Sequence, residues 1–202
     1  MQAQLVNVRG RVQWLALMLV PALLVATQAK GDDEDRGKLS GSDYKFVRKA
    51  ACGGMAEVSL GRLAAEQASS QAVKHFGQQM VTDHSKANDE LKQVVASKGA
   101  TLPDQLTKSD QKELEHLRKL SGPEFDREYM KHMVRDHKED VKEFKKAAED
   151  AKDPEVRAFA AKTLPILQDH LKLAEDVEAS LKRTLSKNGR VKEYQYQPVA
   201  EK

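Results

Sequence analysis

The chain has 202 residues, 32% of them charged, 40% hydrophobic and only 5% aromatic. That length suits one domain with appendages, and the mix suits helices with wet outer faces rather than sheets. A net charge of +3 is too small to argue for a nucleic-acid partner. Cys52 is the only cysteine, which excludes an intramolecular disulfide and any Cys-x-x-Cys site. There is no Gly-rich phosphate loop and no Ser-His-Asp elbow.

The N-terminus reads as an export signal over residues 1–29. Arg9 and Arg11 precede an apolar run, Val12 to Val25, and Ala26-Thr27-Gln28-Ala29 offers small residues for cleavage after Ala29. About fourteen apolar residues fall short of the roughly 20 that a spanning helix needs, and no Cys follows to carry a lipid. The expectation is a cleaved, soluble, periplasmic or otherwise exported protein with no stable membrane span. Residues 30–41 read as a polar linker, residues 42–182 as the folded domain, and residues 183–202 as a flexible basic tail without helical period.

Four long helices follow from apolar spacing of three and four. The first runs from about Ser42 to Gln67, with Phe46, Ala50, Gly53, Glu57, Leu60 and Ala64 on its inner seam. Cys52 lies between Ala and Gly neighbours on this helix, and the reading is a buried, inert thiol. The second runs from about Ser70 to Lys98, with Val73, Gly77, Met80, His84, Ala87, Leu91 and Val94 inside and Gly99 as its stop. A short amphipathic helix from about Ser109 to Leu120 sits in the segment before Gly122. The third long helix starts at Pro123, its seam being Met130, Met133, His137, Val141, Phe144 and Ala148. The fourth starts at Pro154 behind an Asp153 cap, with Val156, Ala160, Thr163, Leu167, His170, Ala174, Val177 and Leu181 inside. Pro165 is expected to kink it.

Short turns make the first two long helices one antiparallel pair and the last two another. The longer connection between the pairs is enough to carry the chain along a bundle. The fold predicted is therefore all-α: a ferritin-like four-helix bundle whose long crossover, between the second and third helices, contains a short extra helix. An all-antiparallel bundle is the alternative.

Each seam carries one metal-competent group at mid-length: Glu57, His84, His137 and His170. Burying such a layer costs several kcal/mol unless the groups are hydrogen-bonded or share a cation. Imidazole with carboxylate suits Zn or Fe, and Met80 and Met133, one turn before His84 and His137, add soft ligands that would admit Cu. The Glu-x-x-His pairs of di-iron bundles are missing, since Val81 and Leu167 stand three before His84 and His170. One transition metal ion is the expectation. Asp83, Asp136 and Asp169 precede the histidines, about 100° around each helix, and are read as partners that orient a neighbouring imidazole. Surface pairing of Asp83 with Lys86 and of Asp169 with Lys172 is the competing reading. His75 and His116 read as exposed, and His132 as one member of a helix pair. The second and third long helices also share Met-Val-x-Asp-His, within Phe76–Lys92 and Tyr129–Lys145.

Four segments carry a family likeness: Ala51 to Ala64, Val73 to Leu91 with its F-G-x-x-M-V-x-D-H-S, Phe125 to His137 with its Y-M-x-x-M-V-x-D-H, and Phe159 to Leu171 with its K-T-L-P-x-L-x-x-H-L. Over roughly Ser42 to Lys182 the chain resembles the bacterial domain-of-unknown-function family 4142. The resemblance implies a ferritin-like helical fold in the cell envelope, often labelled an outer-membrane or exported protein, and no established reaction. Glu57, His84, His137 and His170 fall within the matching segments. Two functions stay open. One is an exported protein that binds one metal for metal handling or oxidative-stress protection, or acts as a small metal-dependent oxidoreductase. The other is a non-catalytic envelope interaction module, with unknown protein partners, whose Asp/His/Glu layer is a structural hydrogen-bond network. A monomer or a homodimer is expected.

Overall fold

The computed structural model describes residues 35–194. The export signal, the start of the linker and the last eight residues of the tail lie outside them. Five helices follow in order: α1 Gly41–Gln67, α2 Gln71–Ala96, α3 Lys108–Arg118, α4 Gly122–Asp150 and α5 Pro154–Tyr194. Among the described residues none is in a strand, and no helix is long and apolar enough to cross a membrane.

The helix ends show why the chain divides there. Ser40 accepts the Asp43 backbone N–H at the start of α1. Thr107 and Asp110 form a reciprocal capping box at α3, Pro123 sits in the first turn of α4, and Asp153 accepts from Glu155 and Val156 at α5. Gly99, at φ 67°, turns the chain out of α2.

The long helices form the ferritin-like bundle with α3 in the crossover. Two buried carboxylates fix the order of packing. Asp43, at the start of α1, accepts the backbone N–H groups of Lys152 and Asp153 in the α4–α5 turn at 3.1 and 2.9 Å. Asp126, at the start of α4, accepts those of Ser69 and Ser70 in the α1–α2 turn at 2.9 and 2.8 Å. Each helix start is thus held at the far pair's turn, so α1 and α4 run antiparallel as neighbours. Lys98, just after α2, pairs with Asp153 and Glu155 at the start of α5, which makes α2 and α5 antiparallel neighbours too. The diagonal pair α2 and α4 then runs parallel, as the long crossover allows.

The two carboxylate ties are equivalent under an offset of 83 residues, the separation of Asp43 from Asp126. The same offset takes the end of α1 to the end of α4 and the start of α2 to the start of α5. It takes the N–H of Ala68 bonded to Ala64 onto that of Ala151 bonded to Ala147. Buried Val73 and Phe76 fall on buried Val156 and Phe159. The bundle is two corresponding hairpins about a pseudo-twofold axis. This is not the likeness visible in sequence between α2 and α4, which relates diagonal helices.

Two apolar clusters fill the interior, one around Val47, Leu91, Phe144, Phe159 and Leu167, the other around Leu60, Phe76, Met80, Tyr129 and Met133. Between α1 and α2 the backbones nearly touch at Gly61 and Gly77. A Cβ on either would meet the other's carbonyl oxygen at 2.7 Å, so only glycine fits that crossing.

Several expectations need correcting. The N-terminal half of α1 buries Val47, Ala51 and Gly54, while Phe46, Ala50 and Gly53 are only partly buried. The face is turned by one residue because the Asp43 and Tyr44 anchors are themselves inside. Cys52 is consequently half-buried, not enclosed, beside a groove lined by Arg48, Lys49 and Thr107. Leu39, in the expected linker, is 1% exposed and belongs to the core, and Lys38 N–H bonds to the Lys98 carbonyl. Finally, α5, with Pro165 inside it, continues to Tyr194. The helix has therefore absorbed residues expected in the tail, where Leu, Lys, Arg and Glu are all good helix formers.

Candidate metal centre

Midway along the bundle, His84 from α2, His137 from α4 and His170 from α5 meet on its axis. They are 6%, 0% and 1% exposed. One ring nitrogen from each lies within 4.8 Å of the other two, and the ring centroids are 5.4 to 5.8 Å apart. The sequence places them there because each occupies the inner seam of an amphipathic helix at the same height.

Second contacts tie one nitrogen in two of the three rings. His137 Nδ1 donates to the Met133 carbonyl at 2.9 Å, leaving a lone pair on Nε2. His170 Nε2 donates to Asp83 Oδ2 at 2.8 Å, leaving a lone pair on Nδ1. His137 Nε2, His170 Nδ1 and His84 Nε2 are all buried with no hydrogen-bond partner. Imidazoles with one nitrogen tied by a carbonyl or carboxylate and the other bare are oriented as metal ligands are.

The electrostatics keep the rings neutral. Burial, then the neighbouring His137 and His170, push the His84 pKa well below the usual imidazole range. Burial and His170 bring His137 to about 4, against the Met133 carbonyl bond. Burial also lowers His170, although Asp83 opposes it. Neutral imidazole is the form that coordinates a cation.

Glu57 is fully buried but does not join this convergence. Its Oε1 is 3.7 Å from His137 Nδ1, the nitrogen that already faces Met133, so it stands behind His137 rather than among the three bare nitrogens. Burial first, and then the nearby Asp136 carboxylate, hold its pKa well above the usual carboxylate range, and neither Glu57 oxygen has a hydrogen-bond partner. Of the three aspartates read as orienting groups, Asp83 alone holds a histidine of the cluster. Asp136 is half-buried and faces Glu57. Asp169 is exposed, on the outer side of α5. Met80 and Met133 are both fully buried in the apolar cluster adjoining the histidines, with the Met80 Cβ turned toward Gly61. His75 and His116 are exposed, and His132 pairs with Arg135 and Glu113.

Two residues of the site were missed in the sequence. The Tyr129 hydroxyl is buried without a partner, its pKa raised by burial and then by Glu57. Asp140, half-buried one turn after His137, is pushed up to about 7, chiefly by burial and then by Asp136. The stripe 129, 133, 137, 140 on α4 is the signal that would have found both.

Fold and site together define a helical bundle with a three-imidazole centre at its core. The profile of the family described as Domain of unknown function (DUF4142) matches residues 28–177; the chain belongs to that family. No curated protein matches it in sequence. Its fold is similar to that of a DUF305 fragment from Deinococcus radiodurans, at 14% identity and a TM-score of 0.62, covering 70% of this chain and 98% of that one. A DUF305 protein from Streptomyces coelicolor, described as secreted, is similar at 14% identity and a TM-score of 0.60, covering 70% and 94%.

Proposed function

We propose that this protein is exported and binds one transition metal ion through His84, His137 and His170, in metal handling or protection against oxidative stress. The observation that carries the reading is that each histidine has a buried nitrogen without a hydrogen-bond partner and that one ring nitrogen from each lies within 4.8 Å of the other two. A hydrogen-bond network that served only to set helix register would pair those atoms, because an unsatisfied buried polar atom costs about 1–3 kcal/mol. A shared cation satisfies all three at once. Three neutral nitrogens leave room for a further ligand and suit Zn, Fe or Cu. Binding at about 2.0–2.1 Å in tetrahedral geometry would draw the nitrogens to roughly 3.3 Å of one another.

Within that site Asp83 fixes the His170 ring and the Met133 carbonyl fixes His137, so the ligands are oriented before metal arrives. Glu57 acts on the site from behind His137 and not as a fourth ligand. Export rests on the Arg9 to Ala29 leader, and the similar fold of a protein described as secreted is in keeping with it.

The test is elemental analysis of the mature protein purified without a chelating tag. About one equivalent of a single transition metal per chain is expected, falling below a tenth of that in His84→Ala, His137→Ala and His170→Ala. Folded wild-type protein that neither carries nor takes up metal would leave the structural network as the reading.

A further inference from the structure

Beside His84, toward α1's N-terminal end, lies a cavity of about 20 Å³ bounded by all four long helices. Ala50 and Gly54 line it from α1, His84 and Ala87 from α2, Asp140 from α4 and Thr163 from α5. The other side of the histidine layer is filled by Met80, Met133, Phe76 and Tyr129, each no more than 1% exposed.

The pseudo-twofold accounts for the space. Under the 83-residue offset Gly54 stands where the other hairpin has His137, Ala87 where it has His170, and Ala50 where it has Met133. Asp140 is the counterpart of Glu57. One half of the centre therefore carries the large ligating and packing side chains, while the corresponding half carries glycine and alanines around a carboxylate. The space lies beside Ala50 and Ala87, while at Gly54 the place of the missing side chain is taken by the Asn88 amide, which an added Cβ would strike. It has room for one water, which needs at least about 10–15 Å³, and its walls, apolar for the most part, include the polar side chains of His84, Asn88, Asp140 and Thr163.

We propose that this cavity is the exchangeable-ligand pocket of the metal centre, restricted to water and diatomic molecules of similar size. The inference rests on the metal reading above and adds a substrate class to it. At about 20 Å³ the space admits water or a small dioxygen species and is too small for an organic substrate. Asp140 is a positioning residue there, accepting from whatever sits beside His84.

Copper(II) alone is a suitable probe, because a three-imidazole set favours it over the other first-row divalent ions. Electron-spin-echo spectroscopy of the Cu(II)-loaded mature protein in D2O reports an exchangeable water held at the ion. Wild type should show deuterium modulation from such a water. Ala50→Val and Ala87→Val, on different helices, each place a larger side chain in the cavity and replace no ligand. They should bind Cu(II) within about threefold of wild type and lose that modulation. Wild type that binds Cu(II) without the water, or a folded variant that binds Cu(II) and keeps it, overturns the pocket and leaves the metal site standing. Wild type that does not bind Cu(II) overturns both. Because wild type alone can contradict the pocket, misfolding of either variant does not protect it.

Discussion

Asp83 and Asp169 occupy the same position relative to a histidine, yet one touches the centre and the other faces water. Asp83→Asn should therefore weaken metal binding about 10–100-fold, the usual effect of losing a carboxylate that orients a ligand, whereas Asp169→Asn should leave it unchanged; titration of the apo-protein with Zn(II) reads both. Glu57 and the histidines predict opposite pH effects on the metal-free fold. A carboxyl whose pKa is raised on folding contributes stability below its unfolded value of 4.5 and loses it as pH rises toward the folded one. Glu57→Gln, which mimics the protonated form, should match wild type below pH 4.5 and become progressively the more stable of the two above it. His137 is depressed from 6.5 to about 4, so the folded state resists protonation while the unfolded chain accepts it. Stability should fall as pH drops from 6.5 toward 4, by up to ~3 kcal/mol from this residue. Thermal melts of both proteins across pH 4–8, taken as ordinary working conditions near the range of greatest stability, separate the two contributions.

At the scale of elements, the two hairpins make a paired prediction. Asp43→Asn and Asp126→Asn each lose a charge that two turn amides donate to. Each should cost on the order of 1.5–3 kcal/mol in chemical denaturation, with similar sizes because the positions correspond. Cys52 should label with a bulky maleimide in the native protein, at a rate below that of a free peptide thiol, since it is half-buried and its pKa is raised first by burial. Most helix limits were legible in the sequence because caps and breakers are local: Pro123, Asp153 and Gly99 announce themselves. The face of α1 was less legible. Ala and Gly repeat along it, so apolar spacing alone could not tell Ala50 from Ala51, and the deciding contacts are made by Asp43, whose partners lie in the α4–α5 turn.

For the molecule as a whole, His84, His137 and His170 could be read from sequence because a polar residue on an apolar seam has to point inward. Glu57 satisfied the same rule and is indeed buried, but a seam fixes direction, not depth or lateral place, and it stops behind His137. Tyr129 and Asp140 escaped notice because a tyrosine and an aspartate on a helix are ordinary until the neighbouring helices enclose them. The pseudo-twofold was hidden as well, since outside the caps and a few apolar positions the two hairpins have little sequence in common, and that is where Gly54 and Ala87 replace histidines. The central claim is that the three clustered histidines, each with a buried unpartnered nitrogen, hold a metal. Its most direct test is the melting temperature of the chelator-stripped mature protein with and without one equivalent of Zn(II), in wild type and in His137→Ala. The account predicts a rise of several degrees in wild type, from preferential binding to the folded state, and none in the variant. An equal response in the two proteins, or no response in wild type, would contradict it.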